Sequence, residues 1–579
     1  MYRKNKQHLQ KSMFGTINSL PEKVRKRLEE SWAGDFYREY FVRMDEKPFA
    51  VLYSDEPSRP NIPVNVLVGL ETLKSGFGWS DSEMYDHFCY DVQVRYALGC
   101  HDLSKGHFEL RTMYNFRKRV TEHRQETGEN LLEQAFEQIA DEQVIAFKLK
   151  TDKLRMDSTM IASNIREMTR VQLLVEVLQR VHRMLDETDL QRYAREFEPY
   201  LKGSSGQYIY HLKGEDIAGH LQRIGELMHR LVGELASGYG EESSYRVLQR
   251  VFEEHFVIGE STLRPKEGQE LSASSMQSPD DWEATYRQKR GEKYRGYVVN
   301  VTETCNPEND LQLIIKVQTE PNNTDDAAML DEVMPDLRER TDVKQMHTDG
   351  GYNSPKVDET MREQRVEQVQ SAIRGRKPCE EKLGLEDFDW ETDEDGEPQN
   401  VTCPHEQCVA VEPGRKQGRY CASFDASDCA TCPFCDRCPS YPLKRTSERV
   451  LRFSQQEVDL ALRRQRSTDA RASGQNLRAA VEATVRSVKH PFGNSKVPVR
   501  GKARVSMVVV GSAAMSNVRR IHRYLVGQAE AERAEKRVQK GTGSEQQLPA
   551  VSLFASFLVQ LRNSLRKLGL FRLARAYGF

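Results

Sequence analysis

The sequence predicts an α+β or α/β fold in which a stranded core follows a helical domain and is interrupted by two insertions. Helix start signals recur before residue 143, and helical periodicity returns over residues 166–256. Alternating apolar and polar residues, typical of strands, appear at 153–161, 294–302 and 311–318. Eight of the eleven cysteines fall within Cys379–Cys438, which indicates an insertion of separate character.

Length and composition exclude several classes of protein. With 579 residues the chain is about four times as long as a typical domain of ~150 residues, so we expect three or more structural units. The longest apolar run, Met507–Met515, is about half the ~20 residues that a membrane span requires. The first residues are polar and basic and lack an apolar signal core, so we expect neither secretion nor a membrane partner.

The elements of the first two thirds follow in order. Residues 1–143 are predicted helical, because a proline opens a helix at Asn61–Leu70, Ser80 and Glu83 form a capping box, and Thr112 begins a basic helix. The first core strand is predicted within residues 144–165, and a helical insertion over 166–290. For residues 291–374 the pattern predicts a hairpin of 294–302 with 311–318, a helix over 325–340, and strands at 343–348 and 366–373.

The last third changes character twice. Residues 375–445 form the acidic, cysteine-rich insertion, helical periodicity returns over 446–527, and 528–579 are a basic tail with a linker at 528–547 and an amphipathic helix at Leu553–Ala576. Residues 439–579 carry 27 Lys and Arg against 9 Asp and Glu, a net charge of +18 that leaves −20 for the rest. This asymmetry is typical of a nucleic-acid-binding face on a larger enzyme, although a solvated helical face would explain it equally well.

Two aspartates are predicted at or near strand ends. Asp157 lies in Met156-Asp-Ser-Thr, and Asp349 lies in His347-Thr-Asp-Gly-Gly-Tyr. Carboxylates at the ends of neighbouring strands can share a pair of hard cations such as Mg²⁺, which prefers oxygen ligands and leaves positions for phosphate and water. Taken alone, an Asp-Gly-Gly sequence is more typical of a surface turn.

A third acidic residue is predicted on a helix over residues 475–489. At about 100° per residue, Arg478, Glu482 and Lys489 fall within roughly 40° of one another, and Gln475 lies on the same side. One stripe therefore presents a carboxylate between two cations. On an arbitrary helix this pattern would be an exposed ion-paired face, worth a few tenths of a kcal/mol.

These three motifs together resemble those of DDE-type insertion-sequence transposases, in particular the branch whose acidic helix carries Y-x2-R-x3-E-x6-K. The match here is Q-x2-R-x3-E-x6-K, with Gln475 in the place of the tyrosine, which leaves the DNA contact of that position open. Asp157 and Asp349 match the two other acids of the family. The segments that resemble its helical N-terminal domain are Gly78–Glu83, Arg95–Gly99 and Phe116–Arg119.

The resemblance implies a ribonuclease-H-like catalytic core and a DNA transposase that cuts transposon ends and joins their 3′-hydroxyls to target DNA. It implies two-metal phosphoryl transfer, with two Mg²⁺ or Mn²⁺ ions held by Asp157, Asp349 and Glu482, of which Asp157 bridges both. Phosphate contacts are expected from Arg478, Lys489, Arg500, Lys502, Arg504, Arg519 and Arg520. Two chains are expected to act as a homodimer on the two transposon ends, in the cytoplasm with the nucleoid.

The cysteines of the insertion predict a structural zinc site. Cys429 and Cys432 have the spacing of a metal knuckle, and the run continues to Cys435 and Cys438. Resemblance to the cysteine-bearing members of the transposase group favours Cys403, Cys429, Cys432 and Cys438, with Cys408, Cys421 and Cys435 as alternatives. Four thiolates would close the site and organise the insertion without catalysing a reaction. The alternative is a set of buried or free thiols.

Two other functions stay open at this point. The chain could be a non-catalytic, zinc-stabilised DNA-binding protein derived from a transposase, or a metal-dependent nuclease that cuts without joining. A Walker-type phosphate loop, a Gly-x-Gly-x-x-Gly before a helix and a His-Glu-x-x-His motif are absent from the sequence, which disfavours an ATP-driven motor and a zinc protease.

Overall fold

The N-terminal region is helical, as predicted. The computed structural model describes residues 2–9, 15–54, 56, 60–210, 212–259, 262–289, 291–373, 381–393, 396–443, 447–473 and 477–541. The region contains α1 (Glu22–Glu29), α2 (Trp32–Phe36), α3 (Val64–Phe77), α4 (Asp81–Tyr90), α5 (Val92–Ala97), α6 (Arg111–Thr127) and α7 (Leu131–Ala146). Gly78 ends α3 with φ 74°, a left-handed conformation that favours glycine. The capping box of Ser80 and Glu83 is confirmed.

The strand predicted from alternation at 153–161 is confirmed as β1, which covers Lys153–Ala162. Residues 144–146, which were predicted to belong with it to the core, instead end α7. The helical insertion that follows contains α8 (Arg170–Met184), α9 (Glu187–Arg192), α10 (Ala194–Leu201), α11 (Ser205–Tyr210), α12 (Ile217–Tyr239), α13 (Ser243–His255) and a short hairpin of β2 (Phe256–Ile258) and β3 (Leu263–Pro265). It has a hydrophobic core of its own, which includes Leu178, Met228 and Leu248.

The central sheet combines antiparallel and parallel pairs. Its remaining strands are β4 (Thr285–Lys289), β5 (Glu292–Thr304), β6 (Ile314–Pro321), β7 (Gln345–Thr348) and β8 (Glu367–Gln370). β1 lies between β5, which is antiparallel to it, and β7, which is parallel; β8 follows β7, and both β4 and β6 pair with β5. The predicted hairpin of β5 and β6 is confirmed. β4 lies in the range predicted as helical insertion but joins the sheet through its pairing with β5.

Helices cover both faces of this sheet. Along β5, Val299 and Val301 pack into the core of the N-terminal helices, while Val298 faces the other way and packs on Met329. The predicted helix α14 (Asp326–Arg340) and α15 (Pro355–Glu363) lie on the second face, in one core with Met156 of β1. β1 is therefore a central strand, buried from both sides.

The cysteine-rich insertion contains a sheet that the sequence does not predict. Its elements are β9 (Asp389–Thr392), β10 (Pro398–Thr402), β11 (Cys408–Pro413), β12 (Arg419–Asp425), α16 (Ala426–Thr431), β13 (Tyr441–Pro442) and β14 (Glu448–Ser454). The strands are antiparallel in the order β13-β14-β12-β11-β10-β9, around a small core with Phe388, Phe424 and Phe453. The strands are short and largely polar, so their alternation is too weak to identify them from the sequence.

Helices return after the insertion. α17 (Gln455–Ala472) is followed by a 3₁₀ turn at Leu477–Ala480, α18 (Val481–Lys489) and α19 (Lys502–Gly541). The single helix predicted over 475–489 is thus a 3₁₀ turn joined to α18, and α19 includes residues 528–541 of the predicted linker. Cys379, Gln475 and the predicted helix Leu553–Ala576 lie outside the described residues. Among the helices of the described ranges, none has the length and apolar character needed to cross a bilayer.

Candidate active site

Asp157 lies in the middle of β1, not at the strand end that the sequence predicts. β1 continues beyond it because its pairing with β5 extends to Ala162. In the parallel pair of β1 and β7, Arg155 is opposite His347, and the same register brings Asp157 level with Asp349, the residue that follows β7. The two predicted aspartates are therefore neighbours on adjacent strands.

Burial and nearby charges together determine the pKa of Asp157. Removal of the carboxylate from water raises the pKa, the Arg478 guanidinium opposes this effect, and the Asp349 carboxylate adds to it, so that the pKa lies above its ordinary value. Such a carboxyl group holds its proton more tightly than a free aspartate does. A second cation near it would favour the charged form.

The turn after β7 orients Asp349. Its Oδ1 accepts a hydrogen bond of 2.7 Å from the backbone N–H of Gly351. Beneath the turn, the buried Tyr352 hydroxyl donates to Oδ1 of Asn300 on β5 at 2.8 Å. Burial raises the pKa of Tyr352 well above its ordinary value, so the phenol stays protonated and serves as a donor. The Asp-Gly-Gly turn is thus attached to the sheet and is not a free surface turn.

The predicted stripe of Arg478, Glu482 and Lys489 lies along β1. Arg478 Nη2 donates to Asp157 Oδ2 at 3.0 Å, and its Nη1 lies 3.3 Å from Glu482 Oε1. At the other end of α18, Lys489 Nζ donates to Thr159 Oγ1 at 3.0 Å, and burial lowers the pKa of this lysine. α18 therefore runs beside β1, and Glu482 is linked to Asp157 through a shared guanidinium.

The donor chemistry of this site fits divalent cations. Asp157 and Asp349 offer carboxylate oxygens at one level of the sheet, and the Glu482 side chain, 62% exposed, is accessible to solvent. The Arg478 guanidinium lies between Asp157 and Glu482, so the space between these two carboxylates already holds a positive charge and suits a cation. Within the described ranges, no group of three or more His, Cys, Asp or Glu is arranged to hold a metal ion.

Arg155 and Glu303 also contact the site, although they are not among the predicted site residues. Arg155 donates through Nη1 to the backbone carbonyl of Leu477 at 2.8 Å and through Nε to Glu303 Oε1 at 2.6 Å. The alternation of β1 could have identified Arg155, because residues two apart share one face of a strand and Asp157 follows it at that spacing. The sequence around Glu303 carries no comparable signal, since the residue becomes buried only when β1 and β5 pair.

The predicted phosphate-binding residues just before and at the start of α19 are partly engaged within the protein. Arg500 lies 3.5 Å from Asp280, and Lys502 lies 2.6 Å from Glu320, whereas Arg504 is exposed. The first pair connects this segment to the loop before β4, and the second connects the start of α19 to β6. Any contact of Arg500 or Lys502 with DNA has to compete with these carboxylates.

Arg519 and Arg520 are directed into the protein. Arg520 Nη1 donates to Glu303 Oε2 at 2.6 Å, and Arg519 Nη2 donates to the backbone carbonyl of Gly76 at 2.6 Å. Arg519 thus contacts the N-terminal helix α3, whereas Arg520 contacts β5 of the central sheet. A net charge counted along the sequence does not distinguish such residues from surface cations.

The cysteines of the insertion line a small common cavity. Its volume is about 30 Å³, and its walls include Cys403, Cys429, Cys432, Cys435 and Cys438, but not Cys408 or Cys421. Burial raises the pKa of the Cys429 thiol, Arg449 opposes this, and the neighbouring thiols raise the pKa further. Four of these cysteines are those predicted as zinc ligands, and their thiol chemistry suits zinc. Among the described residues, these thiols do not form a group of three or more that is arranged to hold a metal ion.

Comparison with known proteins finds a family match. Residues 398–522 match the family model described as "Transposase DDE domain". The matched segment contains Arg478, Glu482, Lys489 and the cysteines of the cavity, whereas Asp157 and Asp349 precede it. Neither a curated protein nor a solved structure matches the chain.

Proposed function

With its transposase DDE domain the chain is a DDE-type transposase, and we propose that it cuts transposon ends and joins their 3′-hydroxyls to target DNA. The predicted resemblance to this family is confirmed, and such a domain implies DNA as the partner. The signature of the Y-x2-R-x3-E-x6-K branch stays a prediction. The observation that carries the proposal is the Arg478 guanidinium between Asp157 and Glu482, with Asp349 close enough to Asp157 to raise its pKa.

The three acids supply the ligands in this proposal. Asp157, Asp349 and Glu482 would hold two divalent cations, Mg²⁺ or Mn²⁺, which act when bound as Lewis acids on the attacking and leaving oxygens. Asp157, which lies beside Asp349 and is linked to Glu482 through Arg478, would be the ligand that the two cations share. A bound cation would favour the charged form of Asp157 and so oppose the burial that raises its pKa.

The cationic residues act on the DNA backbone. Arg478, which now pairs with Asp157 and Glu482, would be free to pair with a phosphate next to the scissile bond if divalent cations took its place between the acids. Lys489, which is hydrogen-bonded to Thr159 on the same strand as Asp157, binds a further phosphate. This arrangement needs no covalent protein–DNA intermediate, because water and then the DNA 3′-hydroxyl serve as nucleophiles.

The topology of the sheet supports a ribonuclease-H-like core. The order β6-β5-β1-β7-β8, with β5 antiparallel to β1 and β7 parallel to it, brings the carboxylates of β1 and the β7 turn together. The helical insertion leaves between β1 and β4, and the cysteine-rich insertion leaves between β8 and α17, so neither interrupts the strand order. The acidic helix α18 then returns to β1.

The proposal includes two further partners, a structural zinc ion and a second copy of the chain. A structural zinc ion would be held in the cysteine-lined cavity by Cys403, Cys429, Cys432 and Cys438, with Cys435 as the alternative that lines the same cavity. A homodimer would pair the two ends of the element. DNA as substrate would keep the protein with the nucleoid in the cytoplasm.

A cleavage and joining experiment tests this function. The purified chain is incubated with Mg²⁺ or Mn²⁺ and DNA that carries the repeats flanking its gene, and with pre-cleaved ends plus target DNA. We expect end-specific nicking and joined products from the wild type, and no detectable cleavage from Asp157→Asn or Glu482→Gln with DNA binding retained. Glu332→Gln, which changes an exposed acid of α14, is the matched control.

The same experiment separates the alternatives. Cleavage without joined products would indicate a nuclease, and DNA binding without cleavage by the wild type would indicate a non-catalytic DNA-binding protein. Cleavage by the purified Asp157→Asn variant at the wild-type rate would contradict the assignment of the acids.

A further inference from the structure

Glu303, at the end of β5, is a buried carboxylate surrounded by donors from three other elements. Its side chain is 0% exposed. Oε1 accepts from Arg155 Nε of β1 at 2.6 Å, and Oε2 accepts from Arg520 Nη1 of α19 at 2.6 Å and from Thr484 Oγ1 of α18 at 2.7 Å. A carboxylate without water is costly unless its charge and lone pairs are matched, and here two guanidinium groups and a hydroxyl match them.

These contacts act on the two segments that carry Arg478 and Glu482. Thr484 is two residues after Glu482, so the two side chains leave α18 about 200° apart, one toward Glu303 and the other toward the metal-binding side. Arg155, held by Glu303, also donates to the Leu477 carbonyl in the 3₁₀ turn of Arg478 at 2.8 Å. Fixing Thr484 and Leu477 fixes the rotation of α18 about its axis and its position along β1.

Arg520 completes this cluster from the opposite side. Its Nη2 is hydrogen-bonded to Thr484 Oγ1, and its Nη1 donates to the backbone carbonyl of Gln312 at 3.1 Å as well as to Glu303. The hydroxyl of Thr484 is thus held between a carboxylate acceptor and a guanidinium donor, which leaves it one orientation. A valine at this position would keep the shape of the side chain and lose both hydrogen bonds.

We propose that Glu303 is a positioning residue for the metal-binding site, which sets the placement of Glu482 relative to Asp157 through Thr484, Arg155 and Arg520. It touches neither DNA nor the reacting atoms. The inference rests on the proposed function, because Glu303 is said to position Glu482, and Glu482 is a ligand of divalent cations only in that proposal. Hydrogen bonds to the groups that carry metal ligands typically change metal affinity or activity about 10- to 100-fold when they are removed.

The test compares variants that alter this cluster with a matched control. Thr484→Val removes the hydroxyl, Thr484→Ser retains it, and Glu303→Gln removes the charge. Thr319→Val is the control, because Thr319 is an equally buried threonine of β6 whose hydroxyl has no partner among the described residues. For each full-length variant we would measure the Mn²⁺ concentration that half-saturates the protein, DNA cleavage with Mg²⁺ and with Mn²⁺, and the thermal midpoint.

We expect Thr484→Val and Glu303→Gln to raise the half-saturating Mn²⁺ concentration about tenfold and to lower cleavage more with Mg²⁺, which demands near-ideal geometry, than with Mn²⁺. Thr484→Ser and Thr319→Val should keep the wild-type Mn²⁺ requirement. If Glu303→Gln does not fold, the comparison of Thr484→Val with Thr484→Ser still tests whether this cluster positions Glu482.

A folded Thr484→Val protein with the wild-type Mn²⁺ requirement would overturn the positioning role, even if its thermal midpoint fell. A shift of the same size in Thr319→Val would overturn it too, since any buried threonine would then suffice. Failure of the wild type to bind Mn²⁺ and to cleave DNA would instead contradict the proposed function itself.

Discussion

Arg478 supplies the positive charge that the carboxylates of the site share in this structure. It lies 3.0 Å from Asp157 and 3.3 Å from Glu482, so divalent cations bound to these acids must displace it. The same side chain would then be available for a phosphate. In the proposed function, metal binding and DNA binding would therefore be coupled, at the scale of single residues, through one guanidinium.

Replacing Arg478 tests this competition. We expect Arg478→Gln to bind Mn²⁺ severalfold more tightly in the absence of DNA, because a competing cation is gone, and to cleave DNA more slowly, because a phosphate contact is lost. Calorimetric titration with Mn²⁺ measures the first effect. Arg486→Gln, which changes an exposed arginine of the same helix, should leave Mn²⁺ affinity unchanged. Weaker Mn²⁺ binding by Arg478→Gln would contradict the competition.

The spacing of Arg478, Glu482 and Lys489 predicted their common face, because helical periodicity is a local property of the sequence. The partners of these residues could not be predicted in the same way. How α18 packs along β1 determines these partners. Arg478 is thereby bonded to Asp157, and Lys489 to Thr159. Likewise, Asp157 was expected near a strand end because the pairing that extends β1 comes from β5, more than a hundred residues later.

At the scale of elements, the cysteine-rich insertion is the part that sequence patterns describe least. Its strands enclose a small core, with Phe388, Phe424 and Phe453 among its buried residues, and the cysteines line a cavity beside it. Small cores rarely stabilise a segment of this size without further support, such as a metal ion. The zinc site was inferred from spacing, whereas the sheet around it has no strong alternation to reveal it.

The contribution of zinc to the stability of the cysteine-rich insertion can be tested with one cysteine that lines the cavity and one that does not. Cys429→Ser should lower the zinc content clearly below one ion per chain, because Cys429 lines the cavity, and should lower the thermal midpoint. Cys408→Ser should retain zinc, because this exposed cysteine is not among the lining residues. Emission spectroscopy on protein purified without chelator measures the metal. Equal zinc contents in the two variants would contradict the site.

At the scale of the whole molecule, two buried histidines link stability to pH. Burial and nearby cations lower the pKa of His255, in the helical insertion, and of His347, in β7, to about 4. Because the folded state favours their neutral forms, their contribution to stability is complete above the ordinary pKa of histidine. It is lost as the pH falls from about 6.5 toward 4.

A histidine replacement measures this linkage. Lowering the pH from 7 to 5 should destabilise the helical insertion of the wild type through His255 by on the order of 2 kcal/mol. In His255→Leu the drop in thermal midpoint between these pH values should be smaller. His490→Gln, which changes an exposed histidine, should behave like the wild type. Identical drops in His255→Leu and the wild type would show that His255 does not carry the effect.

The order of elements along the whole chain was largely predictable, whereas long-range partners were not. The core strands around Asp157 and Asp349 were predicted from local alternation and are confirmed. The recruitment of β4 to the sheet and the cluster around Glu303 depend on contacts between distant segments. The net charge of +18 in the last quarter did not reveal that Arg520 is directed inward.

The most direct test of the central claim is the location of Mn²⁺ by anomalous diffraction from crystals of the chain bound to a transposon end. We expect anomalous peaks in contact with the carboxylates of Asp157, Asp349 and Glu482, and we expect the Arg478 guanidinium to have moved from the acids to a phosphate. Peaks elsewhere, or Glu482 without a bound cation while Arg478 still bridges it to Asp157, would contradict the account.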